Sequence, residues 1–170
     1  EELEYMYSIT KENIVMSFDA VLNNTMEYEA KLKENEDKID TLNAQICQYI
    51  SSIISKPMPD ADSELISGYF RIVGNIERIG DHAVNLIEAE VVRNSEKLAI
   101  SESAVNELET MRKCVIDLLD ASIASFEKQE LTLDEAKQIE TLETISDNLK
   151  EKYQDAHLQR LNEEHCETRA

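Results

Sequence analysis

DSELISGYFRIVGNIERIGDHAVNLIEAEVVRN, residues 62–94, carries apolar side chains at Leu65, Ile66, Tyr69, Val73, Ile76, Ile79 and Leu86. Returns of three and four residues place them along one arc of a helix and leave no strand-like alternation. Asp62 reads as the N-cap, its carboxylate able to accept from the free amides of the first turn. Immediately upstream, Lys56-Pro57-Met58-Pro59-Asp60 breaks any helix, because each proline removes a donor and restricts the residue before it.

Outward from this segment the same spacing recurs. A first helix is expected from about Glu2 to Lys31, striped by Met6, Ile9, Ile14, Phe18, Val21, Leu22 and Met26. A second is expected over Glu34–Ile54, striped by Ile39, Leu42, Ile46, Tyr49, Ile50 and Ile53. A fourth begins near Ser101 and carries Val105, Leu108, Val115, Leu118, Leu119 and Phe126. After a short connection at Gln129-Glu130-Leu131, Thr132-Leu133-Asp134-Glu135 reads as a capping box that opens a fifth helix to about Leu161. The tail from Glu163 to Ala170 is polar and shows no period. Only three glycines and two prolines interrupt 170 residues, so little of the chain is left for turns. The fold class is all-α, and short links between long helices make antiparallel neighbours.

Thirty-six acidic residues against 17 basic ones give a formal net charge of -19. That field repels nucleic acid and anionic lipid, and no Lys/Arg patch reverses it. Cys47, Cys114 and Cys166 are odd in number and far apart, matching neither a disulfide framework nor a zinc site. No segment approaches the roughly 20 apolar residues of a membrane span. The start at Glu1 without Met is expected of a piece excised from a longer protein.

Three Glu-x-x-x-Asp pairs stand out: Glu36/Asp40, Glu77/Asp81 and Glu143/Asp147. Four residues is about one turn, so both carboxylates of a pair leave one side of the helix. On the third helix Glu77 falls within about 20° of Ile66, Phe70 and Val84, and Asp81 about 40° further out. On the second helix Glu36 aligns with Cys47 and Ile54, with Asp40 again about 40° outside. Carboxylates at a core edge are neutralised by a proton, a basic partner or a cation. A hard cation site and an ordinary ion-paired helix edge therefore both remain open on residue chemistry. His82 lies about 100° beyond Asp81, a surface position rather than a ligand to the same ion. No Glu-x-x-His pair exists for a ferritin-like di-iron centre. Gly74 and Gly80 are expected to permit close helix approach. No Gly-rich phosphate loop, Ser/His/Asp set or Cys/His nucleophile pair is present, so no enzyme chemistry is expected.

The run Glu77-Arg78-Ile79-Gly80-Asp81-His82-Ala83-Val84-Asn85-Leu86-Ile87-Glu88 closely resembles the PhoU family signature E-R-x-x-D-H-A-x-N-I-A-E, departing chiefly at Ile87. The resemblance implies an elongated antiparallel bundle of two three-helix repeats, here 1–96 and 97–170. It implies metal ions (Fe, Mn, Mg or Zn) held by Glu-x-x-x-Asp pairs on facing second and third helices. Glu36, Asp40, Glu77 and Asp81 would form one such set, and Glu143 and Asp147 would belong to another. Asp147 lies 107 residues beyond Asp40, which puts the second signature Asp near 188, past Ala170. The second repeat is therefore expected to lack its last helix. Its open groove, with Val115, Leu118, Leu119, Leu142 and Leu149, is expected to favour a homodimer.

The family restrains phosphate uptake and signalling. Glu4-Tyr5-Met6 and His157-Leu158-Gln159-Arg160-Leu161-Asn162 look like the cytoplasmic domain of a sodium/phosphate cotransporter, a sodium symporter. That implies a regulatory domain at the cytoplasmic face of the cell membrane, partnered by the transport domain of its own polypeptide. A free-standing phosphate regulator and a purely structural helical interaction module are the alternatives.

Overall fold

The structure, a computed structural model, describes residues 1–128 and 131–162. Every element among them is an α-helix: α1 (Glu2–Asn23), α2 (Glu29–Ile54), α3 (Asp60–Glu96), α4 (Glu102–Lys128) and α5 (Leu133–Asn162). The chain divides into two compact units, Glu1–Glu90 and Val91–Ala170, the division falling inside α3 and short of the 96/97 boundary read from sequence. The connection at 129–130 and the polar tail at 163–170 lie outside the described residues.

In the first unit α1, α2 and α3 run up, down and up. Asn13 of α1 meets Leu32 of α2, whereas Leu3 shares a groove with Ile46–Ile53. Gly80 of α3 meets Glu36 and Ile39, whereas Ile66 reaches the far end of α2. On α3 the buried positions are Val73, Ile76, Gly80, Ala83, Ile87 and Glu90, alternating three and four residues apart. This is the seam of a helix that packs nearly parallel to its neighbours. On α2 the matching line is Leu32, Asn35, Ile39, Leu42 and Ile50. Met16 and Ala20 of α1, Leu32 of α2 and Ile87 of α3 meet in one cluster.

Three boundaries differ from expectation. The first helix ends at Asn23, not Lys31, because Asn24 turns left-handed (φ 50°, ψ 51°) and its amide returns to the Ala20 carbonyl. Asparagine tolerates that conformation better than other non-glycine residues, and the Thr25 amide adds a second bond to Ala20. The second helix correspondingly starts at Glu29 rather than Glu34. The third opens at Asp60, with the Pro59 carbonyl accepting from Ser63, so Asp62 lies inside the first turn instead of capping it. There it still complements the positive end of the helix dipole. Leu65, read as lining the arc, is 60% exposed, and Phe70, read as lying about 20° from Glu77, is 46% exposed.

The second unit pairs α4 with α5 in antiparallel fashion. Glu107 near the start of α4 accepts from both terminal guanidinium nitrogens, Nη1 and Nη2, of Arg160, each at 2.7 Å. The Cys114 thiol lies 3.8 Å from the Leu142 carbonyl. Ser101 caps α4 through its Oγ, 3.2 Å from the Ala104 amide. The capping box forms as read: Glu135 N–H donates to Thr132 Oγ1 at 3.2 Å, and Thr132 N–H donates to Glu135 Oε2 at 3.0 Å. Lys128 adds a bond at 2.6 Å, and together with the Thr132 amide and hydroxyl it holds the Glu135 carboxyl down at about 2. The core here is thin. Cys114 and Leu119 are the buried residues of α4, whereas Val115, Leu118, Leu142 and Leu149 are only half-buried.

Candidate carboxylate site

Ile39 and Gly80 bring α2 and α3 together. A β-carbon at Gly80 would sit 3.3 Å from Ile39 Cδ1 and 3.3 Å from Glu36 Oε2, so only glycine fits this approach without displacing a neighbour. Gly74 differs from expectation: nothing lies within 4 Å of a β-carbon there, and its role is not close packing. These two glycines give different results on substitution. Gly74→Ala removes backbone entropy from the unfolded chain and should stabilise by about 0.5–1 kcal/mol. Gly80→Ala gains the same term, but the ends of the Ile39 and Glu36 side chains must give way by a few tenths of an ångström, which offsets part or all of that gain. Urea denaturation should therefore raise the midpoint more for Gly74→Ala than for Gly80→Ala; an equal or larger rise at Gly80 would refute its packing role.

Around Gly80 the carboxylates of Glu36, Asp40, Glu77 and Asp81 share one patch. Glu36 and Glu77 are half-buried, and Asp40 and Asp81, one turn on, are exposed. This matches the helical positions, with each Glu inside the apolar edge and each Asp outside it. Glu36 carries the stress of the arrangement. Its Oε2 is sealed from solvent without a hydrogen-bond partner. Burial pushes its carboxyl up to about 7, helped by Asp40, Asp81 and Glu77 and by a side-chain contact with Asp81 that only a shared proton makes favourable. Glu77 is pushed up in the same way, by burial first and then by Asp81 and Asp40, with Arg78 opposing. Low dielectric and like charge act together to disfavour the ionised forms.

Among the described residues no group of three or more His, Cys, Asp or Glu side chains is arranged closely enough to hold a metal ion. The patch is thus a gathering of charge rather than a closed ligand shell. His82 is exposed. Glu143 and Asp147 are both exposed on α5, in the second unit. Burial raises the Cys47 and Cys114 thiols, which keeps them in the unreactive form.

Sequence reasoning missed a polar layer beside the site. Asn35, fully buried next to Glu36, donates through Nδ2 to Glu12 Oε2 and Asn13 Oδ1, both at 2.9 Å. Asn13 in turn donates to the Leu32 carbonyl at 3.1 Å. Thr10 and Ser17 are buried on the same helix, and Glu90 is 1% exposed on α3. The signal was there: Thr10, Asn13 and Ser17 continue the spacing from Met6 to Ala20, and Asn35 falls between Leu32 and Ile39. No helix among the described residues is long and apolar enough to cross a membrane.

Comparison with known proteins adds to this geometry. Residues 3–89, the span of the first unit, match the PhoU domain. A phosphate-specific transport system accessory protein PhoU homolog from Aquifex aeolicus is 27% identical over 148 residues, covering 86% of this chain and 65% of the relative. A protein of the same description from Synechocystis sp. is 36% identical over 84 residues, covering 49% of this chain and 38% of the relative. The matches thus span less than two thirds of either relative's length. No solved structure matches.

Proposed function

The chain belongs to the PhoU family, and on that premise we propose that it regulates phosphate transport through binding, with no catalytic chemistry of its own. Two relatives bear the name of accessory proteins of a phosphate-specific transport system, which supports this reading. The proposed partner is a membrane protein that moves phosphate. The finer setting is a domain at the cytoplasmic face of a sodium/phosphate cotransporter, acting on the transport domain of its own polypeptide; a free-standing accessory protein, as the relatives are named, is equally compatible with family membership.

The observation that carries the site is Glu36, a carboxyl drawn into a core edge with one oxygen unsatisfied and three acidic neighbours. A divalent cation fits this chemistry. Glu36 and Asp40 from α2 and Glu77 and Asp81 from α3 would hold it, and an all-oxygen set suits Mg²⁺, Mn²⁺ or iron better than Zn²⁺. When bound, the ion would supply the positive charge the four carboxylates lack and tie α2 to α3. Asp40 and Asp81, at the exposed rim, are the ligands best placed to turn toward it. Glu143 and Asp147 offer one helix's pair, which needs oxygens from another element before it holds a hard ion.

The test of the regulatory reading is uptake. Cells that lack the gene for this protein should accumulate radiolabelled phosphate faster in phosphate-rich medium. Wild-type protein should restore the slower rate, and the Glu36→Gln/Asp81→Asn double variant should not. Uptake that is unchanged by loss of the gene would contradict the proposal.

A further inference from the structure

The buried seam of α2 is apolar at every position but one. Leu32, Ile39, Leu42 and Ile50 carry no polar side-chain atom, and Asn35 stands fully buried among them. Its Nδ2 donates to Glu12 Oε2 and to Asn13 Oδ1, both on α1 and both at 2.9 Å. Asn13 Nδ2 in turn donates to the Leu32 carbonyl at 3.1 Å. These bonds all cross from one helix to the other within a single turn of each. A buried amide in an apolar seam costs stability unless it is partnered, and its best-attested use is to fix how two helices meet.

Apolar packing by itself leaves α2 free to turn. Burial has no direction, and the half-buried Ile46 and Ile53 widen the apolar arc around Leu42 and Ile50, so neighbouring rotations of the helix bury similar surface. Hydrogen bonds do have direction. A turn or slide of α2 strands the buried amides of Asn13 and Asn35, and no other buried residue of α2 offers them a polar side chain. Glu36 follows Asn35 by about 100° round the helix. With Asn35 held against α1, Glu36 is delivered to α3, where its Oε2 lies 3.3 Å from a β-carbon placed on Gly80. We propose that Asn35, held by Glu12 and Asn13, is the positioning residue of the carboxylate patch. It fixes the rotation and level of α2 at which Glu36 and Asp40 meet a divalent cation together with Glu77 and Asp81. This role rests on the cation reading of the patch, whereas the placement of Glu36 at Gly80 is a property of the protein without metal.

Two measurements on the whole chain separate positioning from folding. Asn13→Leu/Asn35→Leu removes both amides at once and leaves neither unsatisfied, so the variant should melt at or above the wild-type temperature. Its Kd for Mn²⁺, read at about pH 7.5 from the paramagnetic resonance of the free ion, should nevertheless rise at least about tenfold. A role in folding alone would leave that Kd unmoved. The second measurement needs no metal. In the wild-type background the urea midpoint should rise less for Gly80→Ala than for Gly74→Ala. In the leucine pair the two rises should become equal, because α2 no longer presents Ile39 and Glu36 to Gly80. Asn13→Ala/Asn35→Ala, which adds no bulk, carries both measurements if the leucines overpack the seam. An unchanged Mn²⁺ Kd in a folded pair variant would overturn the proposal, as would a smaller rise at Gly80 that persists in that background. Wild-type protein that binds no Mn²⁺ would overturn the cation reading instead, and the glycine comparison would still decide whether Asn35 places Glu36.

Discussion

In buffer free of divalent cations, the melting temperature is expected to fall as the pH rises from about 5 to about 8. The cause is Glu36. Its carboxyl titrates near 4.5 when solvated and at about 7 in the fold. Between those values the folded protein keeps a proton that the unfolded chain has released, so raising the pH draws stability away, and above the upper value the loss is complete. Glu77, raised by burial and its acidic neighbours, acts in the same sense. Glu135 acts oppositely. Held down at about 2, it adds stability above its ordinary value of 4.5 that disappears only as the pH falls toward 2, outside this window. With allowance for the solvent that reaches a half-buried group, the fall is on the order of 1–2 kcal/mol, or a few degrees. Glu36→Gln should flatten the profile. A melting temperature that rises across this window in the wild type would contradict the burial assigned to Glu36.

The largest loss of stability is expected from Leu32→Ala. Leu32 is fully buried, packed with Met16, Ala20 and Ile87, and its carbonyl receives the Asn13 amide. Its removal leaves a cavity bounded by all three helices of the first unit and should cost about 2–5 kcal/mol. Leu65→Ala, at a site 60% exposed, should stay within about 0.5 kcal/mol. Urea titrations read both changes as midpoint shifts at unchanged slope. Comparable costs at the two positions would mean that the core does not lie where Leu32 places it.

Regular periodicity was the part of the fold that could be read in advance. Val73 and Ile76 of the expected α3 stripe are buried at helical spacing, whereas Ile79 and Leu86 are half-buried and the seam continues through Ala83 and Ile87 instead. Thr132 and Glu135 satisfy each other through local bonds that need no tertiary context. The ordering of the site was legible for the same reason: helical angle alone puts Glu36 and Glu77 inside the apolar edge and Asp40 and Asp81 outside it. What failed depended on the third dimension. Asn24 continues a plausible helix in sequence, and it is its left-handed backbone, with the Thr25 amide folding back to Ala20, that ends it. Asn13 and Asn35 stand at core spacing, but only the meeting of α1 with α2 supplies the hydrogen-bond partners that permit their burial. Leu65 lies in register with the α3 stripe but near the uncovered end, and register does not reveal where a neighbouring helix stops. Gly74 and Gly80 look alike in sequence, and the contact that separates them comes from Ile39 and Glu36 on another helix.

The proposed binding of a divalent cation by Glu36, Asp40, Glu77 and Asp81 is tested most directly by thermal melts of wild type, Asp81→Asn and His82→Ala with and without Mn²⁺. Near pH 7.5 a ligand that binds only the folded state at about 100 times its Kd adds roughly 2.7 kcal/mol, or several degrees. Wild type and His82→Ala should show this gain, because His82 is exposed and stands off the patch. The gain should fade toward pH 5, where protons occupy the carboxyls that the ion needs. Asp81→Asn should lose most of it, since it removes a charged oxygen beside Glu36 without altering the packing of Gly80. Equal Mn²⁺ responses in wild type and Asp81→Asn would contradict the account and leave these carboxylates as an acidic helix edge.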